Sequence, residues 1–265
     1  MEQRMSDLIT EFRTADGSLP THSPAHYETE KHGFKITNST YEDKAYSTVT
    51  VGNIIDLSPN SRRKLIQCLS ELLNNHSEES PKGAVLVVGL GNSAITADSL
   101  GPITASRIAV TDRVLFEMGF PKICAIIPGV PARTGLDTAQ TVLHIAKQMS
   151  ADLIIAVDSL CAVSPERLGN VIQISEAGIS PGSAFSHTSG EISKMTMPCP
   201  VISLGVPTVI RASSLSPSVP DTSLLVSPAD LDIVADCYAS IIAGGINSAL
   251  LGNRSVSGII ASYDA

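Results

Sequence analysis

The sequence predicts an α/β protein with a single doubly wound, mostly parallel sheet, helices on both faces and an N-terminal extension. Runs of consecutive apolar residues, typical of strands buried on both faces, alternate along the chain with segments whose apolar residues recur at helical spacing. Glycine, proline and small polar residues separate these segments. The chain of 265 residues is also 43% hydrophobic, which is enough to form a substantial core.

The N-terminal part of the chain begins with a polar stretch. Residues 1–30 lack periodicity and are predicted to form a flexible arm or a propeptide region, which leaves 31–265 as a single α/β domain. Two short segments rich in strand-forming residues follow it, at Phe34–Thr37 and Tyr46–Val51. A helix is then predicted to begin at Ser58, which is followed by a proline at the first helical position.

The remaining elements alternate regularly. Val85–Val88 is a fully apolar strand that leads into a Gly-Leu-Gly-Asn turn. A helix is predicted to open at Pro102, with an apolar face formed by Ile103, Val110, Val114 and Met118. The elements predicted next are a strand at Ile123–Ile127, a helix at Asp137–Met149, a strand at Leu153–Val157 that stops at Asp158, and strands at Val171–Ile174 and Val201–Leu204. A surface connection at Ala212–Thr222 then leads to a helix from Ser227 toward Leu251.

Composition argues against several classes of protein. Eighteen Lys and Arg against 26 Asp and Glu give a net charge of −8, which disfavours a nucleic-acid binder because such proteins displace counterions with a basic surface. The five cysteines are widely spaced without a C-x-x-C pair, a pattern typical of reduced thiols. No secretory leader or apolar run of membrane-spanning length is visible. We therefore expect an acidic intracellular protein without direct contact with nucleic acid or membrane.

Two acidic residues follow strands of the predicted sheet. Asp98 lies in the loop after the first core strand, and Asp158 follows the third. Ligands bind beyond the carboxyl ends of the strands in open α/β sheets, and the two strands are expected to be neighbours. The carboxylates are therefore expected to converge. The alternative is that Asp158 is a helix cap or turn residue and that Asp98 caps the helix near Pro102.

Other motifs indicate chemistry less specifically. The pattern from Gly89 to Ala94 resembles a dinucleotide fingerprint, but no helix begins at these glycines to face a pyrophosphate. Cys161 is a possible nucleophile, although a free cysteine near a strand end is more often a small buried hydrophobe. His187 is a candidate third ligand if the two acids hold a metal.

Several longer motifs carry a family resemblance. They are VVGLGNSAITADSLGP (87–102), IIPGVPARTGLDT (126–138), IIAVDSL (154–160), ERLGNVIQISEAGISPGS (166–183), VISLGVPTVI (201–210) and IIAGGINSAL (241–250). In this order they resemble the germination proteases of spore-forming bacteria, whose fold is similar to that of the hydrogenase-maturation endopeptidases. The sequence lacks the large insertion that usually precedes the final helix of these proteases, and Ser93, Ala97 and Arg211 depart from the expected motifs.

The resemblance implies an endopeptidase of an atypical aspartic type that begins the degradation of small acid-soluble spore proteins during germination. The two essential aspartates of the family fall on Asp98 and Asp158. The resemblance also implies a zymogen cut at a site of the form Thr-Glu before an apolar residue, which Thr10-Glu11-Phe12 fits, between Glu11 and Phe12. It further implies a cytoplasmic location in the forespore or spore core, and a homo-oligomer, usually a tetramer.

The mechanism expected from these residues is hydrolysis by a water molecule held between Asp98 and Asp158, which would share one proton. Backbone N–H groups near Gly91 and Asn92 are expected to stabilise the oxyanion, without a cofactor. Three alternatives remain open: a metal-dependent peptidase that uses a divalent ion, a non-catalytic or specificity-altered spore paralogue that binds a protein partner, and a nucleotide-binding domain.

Overall fold

A computed structural model describes residues 7–11, 25–77, 83–111, 116, 119–182, 190–216, 218–219 and 224–252. Within them the chain forms one mixed sheet of nine strands. The strands are β1 (Ala25–Lys31), β2 (Phe34–Tyr41), β3 (Lys44–Thr50), β4 (Ala84–Gly89), β5 (Lys122–Ile126), β6 (Ala151–Ala162), β7 (Val171–Ser175), β8 (Val201–Arg211) and β9 (Leu225–Val226). Their order across the sheet is β1-β2-β3-β7-β8-β6-β4-β5, and β9 pairs with the end of β8.

The helices of the described residues are α1 (Pro59–His76), α2 (Leu100–Ala105), α3 (Pro131–Thr134), α4 (Thr138–Met149), α5 (Ala212–Leu215) and α6 (Leu231–Leu251). Short 3-10 helices lie at Ile9–Glu11, Thr96–Asp98 and Pro165–Arg167. The predicted cap of α1 is confirmed, because the Ser58 side chain accepts a hydrogen bond from the Ser61 N–H at 3.1 Å. Asp137 caps α4 in the same way through the Gln140 N–H at 2.8 Å.

The prediction of a mostly parallel sheet is wrong. Only the pairs β4–β5, β4–β6 and β6–β8 are parallel, whereas β1–β2, β2–β3, β3–β7, β7–β8 and β8–β9 are antiparallel. The turns that join the first three strands account for two of these pairs, β1–β2 and β2–β3. His32 and Gly33, and then Glu42 and Asp43, have positive φ angles, as in the two-residue type I′ turns that connect antiparallel hairpins.

Helices cover both faces of the parallel part of the sheet, as predicted. Val85 and Val87 of β4 belong to the core under α1, α2 and α6, while Leu86 and Val88 belong to the core under α4. This alternation explains why β4 is apolar at consecutive positions. Helix α6 has the length and apolar composition of a membrane span, but it packs against α1 and α2 and contributes residues such as Tyr238 to the core.

The boundary predicted at residue 30 falls inside β1, and the described residues 7–11 contact β6 and β7. Two helix boundaries also differ from the predictions. Helix α2 begins at Leu100 and ends at Ala105, so Val110 lies outside it, while Val114 and Met118 lie outside the described residues. Helix α6 begins at Leu231 rather than after Ser227, and Asp230 precedes it without a side-chain capping bond. Of the connection at 212–222, residues 212–215 form helix α5.

Candidate active site

Asp98 is positioned by a turn that folds back over the end of β4. It is the last residue of the 3-10 helix Thr96–Asp98, immediately before α2, and its side chain is buried. Gly101 makes this arrangement possible, since a Cβ there would lie 2.2 Å from the Leu90 carbonyl oxygen and 2.4 Å from that of Val157. Thr208 of β8 adds a tether, because its hydroxyl donates to the Ala97 carbonyl at 2.7 Å. The alternative role of Asp98 as a cap of α2 is wrong, because Ser99 occupies the cap position.

Asp158 lies within β6 rather than after it, which corrects the predicted end of that strand. Pairing with β4 stops at Gly89 and Val157, whereas pairing with β8 continues from Asp158 to Ala162. Asp158 is therefore the first residue of β6 beyond the end of β4, and it is neither a helix cap nor a turn residue. Its Oδ1 atom accepts a hydrogen bond from the Ser159 N–H at 2.8 Å. This N–H points to the side of β6 that β4 no longer covers.

The two aspartates lie close enough for their charges to interact, as the sequence predicted. Burial, and then the neighbouring charge of Asp98, raise the pKa of Asp158 well above its ordinary value, although the Ser159 N–H opposes the rise. Burial also raises the pKa of Asp98 to about 6, and the hydrogen bond from the Asn92 N–H opposes that rise. Burial therefore disfavours the ionised form of both carboxyls, and the charge of one raises the pKa of the other.

Gly91 and Asn92 form the turn that holds Asp98. Gly91 has a φ of 111°, and a Cβ there would lie 2.2 Å from the carbonyl oxygen of Asp98. The Asn92 N–H donates to Asp98 Oδ2 at 2.8 Å, so this donor, predicted to stabilise an oxyanion, has a different partner in the structure. The Asn92 side chain accepts from Arg133 Nη1 at 3.1 Å, which places a guanidinium group beside the turn.

We expect Asp98→Asn to stabilise the fold at neutral pH and to have little effect near pH 4. The pKa of Asp98 is higher in the folded chain than in the unfolded chain, so the native state binds more protons between about pH 4 and 6 and loses stability as the pH rises through that interval. The neutral amide removes this penalty. The gain in unfolding free energy should be about 1–2 kcal/mol at pH 7.5, after discounting for solvent screening, and urea denaturation at several pH values measures it.

The matched control is Asp43→Asn in the exposed turn between β2 and β3. This change should alter the unfolding free energy by less than about 0.5 kcal/mol at every pH. An equal gain for Asp98→Asn at pH 4 and pH 7.5 would contradict the burial argument.

The other candidates from the sequence do not complete a site. Cys161 is buried, and burial raises the pKa of its thiol to about 11, so it is protonated at neutral pH and unsuited to be a nucleophile. His187 lies outside the described residues, and among those described no group of three or more His, Cys, Asp or Glu side chains is placed to hold a metal ion. Glu11 is described and its carboxylate accepts from the Val163 and Ser164 N–H groups, but Phe12 lies outside the described residues.

Sequence reasoning missed the contact between the N-terminus and this region. Asp7 donates its N–H to the Cys161 carbonyl at 3.0 Å, and its carboxylate accepts the Cys161 N–H at 2.8 Å. The charge of Asp7 is also a minor contributor to the raised pKa of Asp158. The available signal was the apolar pair Leu8-Ile9 between the acidic residues Asp7 and Glu11, but it is too short to predict a partner.

Comparison with known proteins shows the family to which the chain belongs. A family model described as germination protease matches residues 39–222, which include both aspartates. The chain belongs to the germination protease family. Germination proteases similar to it include those of Bacillus mycoides strain KBAB4, at 36% identity over 209 aligned positions, and Bacillus cereus strain AH187, at 35%. The germination protease of Bacillus anthracis strain CDC 684 is also 35% identical.

These alignments cover 71% of this chain but only 56–57% of the relatives, so the chain matches little more than half the length of the curated germination proteases. The residues that the family model matches, 39–222, contain the turn with Asp98 and strand β6 with Asp158.

Proposed function

We propose that this chain is an endopeptidase that hydrolyses peptide bonds with a water molecule activated between Asp98 and Asp158. The observation that carries this proposal is that two buried carboxyls lie within range of each other's charge at the end of β4, where both have raised pKa values. Such a pair shares a proton, which gives one residue the role of base and the other the role of acid. Membership of the germination protease family supports the same reaction class.

In the proposed reaction, ionised Asp98 accepts a proton from water as the water oxygen attacks the carbonyl carbon of the scissile bond. Protonated Asp158 donates its proton to the carbonyl oxygen, which forms a neutral tetrahedral diol. Collapse of the diol breaks the C–N bond, with the proton held by Asp98 passing to the departing nitrogen and a diol proton returning to Asp158. The Asn92 N–H keeps Asp98 oriented, and the Ser159 N–H does so for Asp158.

The proposed substrates are the small acid-soluble spore proteins, in the cytoplasm of the forespore or the spore core. Incubation of the full chain with such a protein, followed by mass spectrometry, should detect defined fragments that are absent with Asp158→Asn. Stable binding without fragments would favour the non-catalytic paralogue. We also propose that the chain forms a homo-oligomer and that it is processed by cleavage between Glu11 and Phe12.

We expect removal of divalent metal to leave cleavage unchanged. The proposed step uses only the two carboxyls and water, and among the described residues no third metal-ligating side chain joins them. Dialysis against a chelator should therefore change the cleavage rate by less than twofold. A loss of activity that added metal restores would establish the metal-dependent alternative instead.

A further inference from the structure

Ser159, the residue after Asp158 in β6, carries a buried hydroxyl. The residue is 3% exposed, and its Oγ atom has no hydrogen-bond partner among the residues that the structure describes. Buried polar groups in folded proteins are nearly always hydrogen-bonded, and an unpaired one lowers the stability of the fold. An unpaired hydroxyl next to a candidate catalytic residue therefore points to a partner that forms at another stage of the reaction.

The surroundings of this hydroxyl are apolar. Side chains alternate between the two faces of a strand, so that of Ser159 lies on the face of β6 that also carries Val157 and Cys161. Val157 belongs to the core under α1, α2 and α6, whereas Cys161 packs with Val209 and with Ala97 of the 3-10 helix that ends at Asp98. The side chains of valine and alanine have no acceptor atom, and a thiol is a weak acceptor.

Ser159 already binds the carboxyl group of Asp158 through its backbone. Its N–H donates to Asp158 Oδ1 at 2.8 Å. In a gauche rotamer the Oγ atom of a serine lies about 3 Å from its own backbone nitrogen. Rotation about χ1 can therefore bring the hydroxyl to the carboxyl oxygen that the N–H binds, and the backbone does not have to move.

We propose that Ser159 is a positioning residue whose hydroxyl turns to donate a second hydrogen bond to Asp158 when Asp158 has given its proton to the substrate. This proposal rests on the proposed peptidase function. The proton passes from Asp158 to the carbonyl oxygen and returns from the diol as the C–N bond breaks, while the Ser159 hydroxyl keeps its own proton throughout. The carboxylate formed in between is buried, and a buried charge requires hydrogen bonds.

The timing of this hydrogen bond determines which kinetic constant it affects. A bond that exists only while Asp158 is charged stabilises the transition state and leaves the enzyme–substrate complex unchanged. It therefore raises kcat without changing KM, unlike the bond of a residue that binds the substrate. The resting fold keeps the unpaired hydroxyl, which lowers its stability.

The test compares Ser159→Ala with the wild-type chain, by steady-state kinetics on a purified small acid-soluble spore protein and by thermal unfolding. The kcat of the variant should fall by about 10–100-fold, as expected for the loss of a hydrogen bond to a charged group. Its KM should stay within about twofold of the wild-type value. Its melting temperature should rise by about 2–4 °C, because the unpaired buried hydroxyl is removed.

Thr48→Val is the matched control. The Thr48 hydroxyl is also buried without a partner among the described residues, and it belongs to β3, which β7 and β8 separate from β6. This variant should gain stability in the same way, while its kcat stays within about twofold of the wild-type value. A second comparison uses the Asp158→Asn background, in which no carboxylate forms at this position. Adding Ser159→Ala there should lower kcat by less than about twofold.

Three results would overturn the role of Ser159 and leave the proposed peptidase standing. They are a wild-type kcat for Ser159→Ala, a change in KM alone, and an equal loss of kcat when Ser159→Ala is added to Asp158→Asn. No cleavage of the spore protein by the wild-type chain would instead reject the proposed peptidase, and the role of Ser159 with it.

Discussion

Asp158→Asn is expected to lower kcat/KM for peptide cleavage by about 10²–10⁴-fold, the usual contribution of a general acid. The amide keeps the size of the side chain and can accept the Ser159 N–H, but it has no acidic proton to donate to the carbonyl oxygen. The fold should tolerate the change, because a neutral group replaces a fully buried acid whose charged form is disfavoured. Kinetics with a purified substrate, together with thermal unfolding, measure the two effects.

The control for this experiment is Asp152→Asn, a change in the same strand far from the proposed reaction. Asp152 accepts the Ala84 N–H at 2.9 Å at the opposite end of β6, so its replacement should leave kcat/KM within about threefold of the wild-type value. Cleavage by Asp158→Asn at the wild-type rate would rule out the paired-acid mechanism. Equal loss of activity in both variants would indicate a general effect on the strand.

Gly91→Ala is expected to lower kcat/KM by about 100-fold and to destabilise the fold. A Cβ at this position would lie 2.2 Å from the Asp98 carbonyl oxygen and 2.8 Å from its Oδ1, so the turn has to move and Asp98 with it. A displacement of about 1 Å in a reacting group can cost two orders of magnitude in rate. The cost in unfolding free energy should be about 2–3 kcal/mol, from the clash and the positive φ, measured by urea denaturation.

Gly135→Ala separates the effect of the steric clash from the effect of the positive φ angle. Gly135 also has a positive φ, of 71°, but nothing lies within 4 Å of the position its Cβ would occupy. The variant should therefore lose only about 1 kcal/mol of unfolding free energy, the cost of placing alanine at a positive φ. Its kcat/KM should stay near the wild-type value. If both variants were equally active, Asp98 would not depend on the Gly91 turn.

Much of the architecture could be predicted from local patterns. Helix α4 begins after Asp137 and ends at Met149 as predicted, because a capping side chain and a regular apolar stripe are both encoded within one segment. The apolar run of β4 is likewise a local signal of a strand covered on both faces. The length of β6 could not be predicted in this way. Its residues beyond Asp158 are held as strand by pairing with β8, which lies more than 40 positions further along the chain.

Local patterns also failed for the direction of the first three strands and for the N-terminus. The turns at His32-Gly33 and Glu42-Asp43 make β1, β2 and β3 antiparallel, although nothing within each strand distinguishes this from a parallel arrangement. Asp7, Leu8 and Glu11 contact residues about 150 positions further along the chain. The spacing of apolar residues within a short segment cannot predict such contacts.

The amino-acid order alone was sufficient to identify an α/β chain with acidic residues at 98 and 158, and its longer motifs were sufficient to indicate the family. Those properties are carried by short stretches, whose backbone preferences and apolar spacing do not depend on distant residues. Only the folded chain shows that Gly101 lets the Asp98 turn approach Val157, that burial raises the pKa of both acids, and that Asp7 near the N-terminus binds Cys161 of β6. These features depend on burial and on contacts between remote segments, which exist only after the sheet and its helices have packed together.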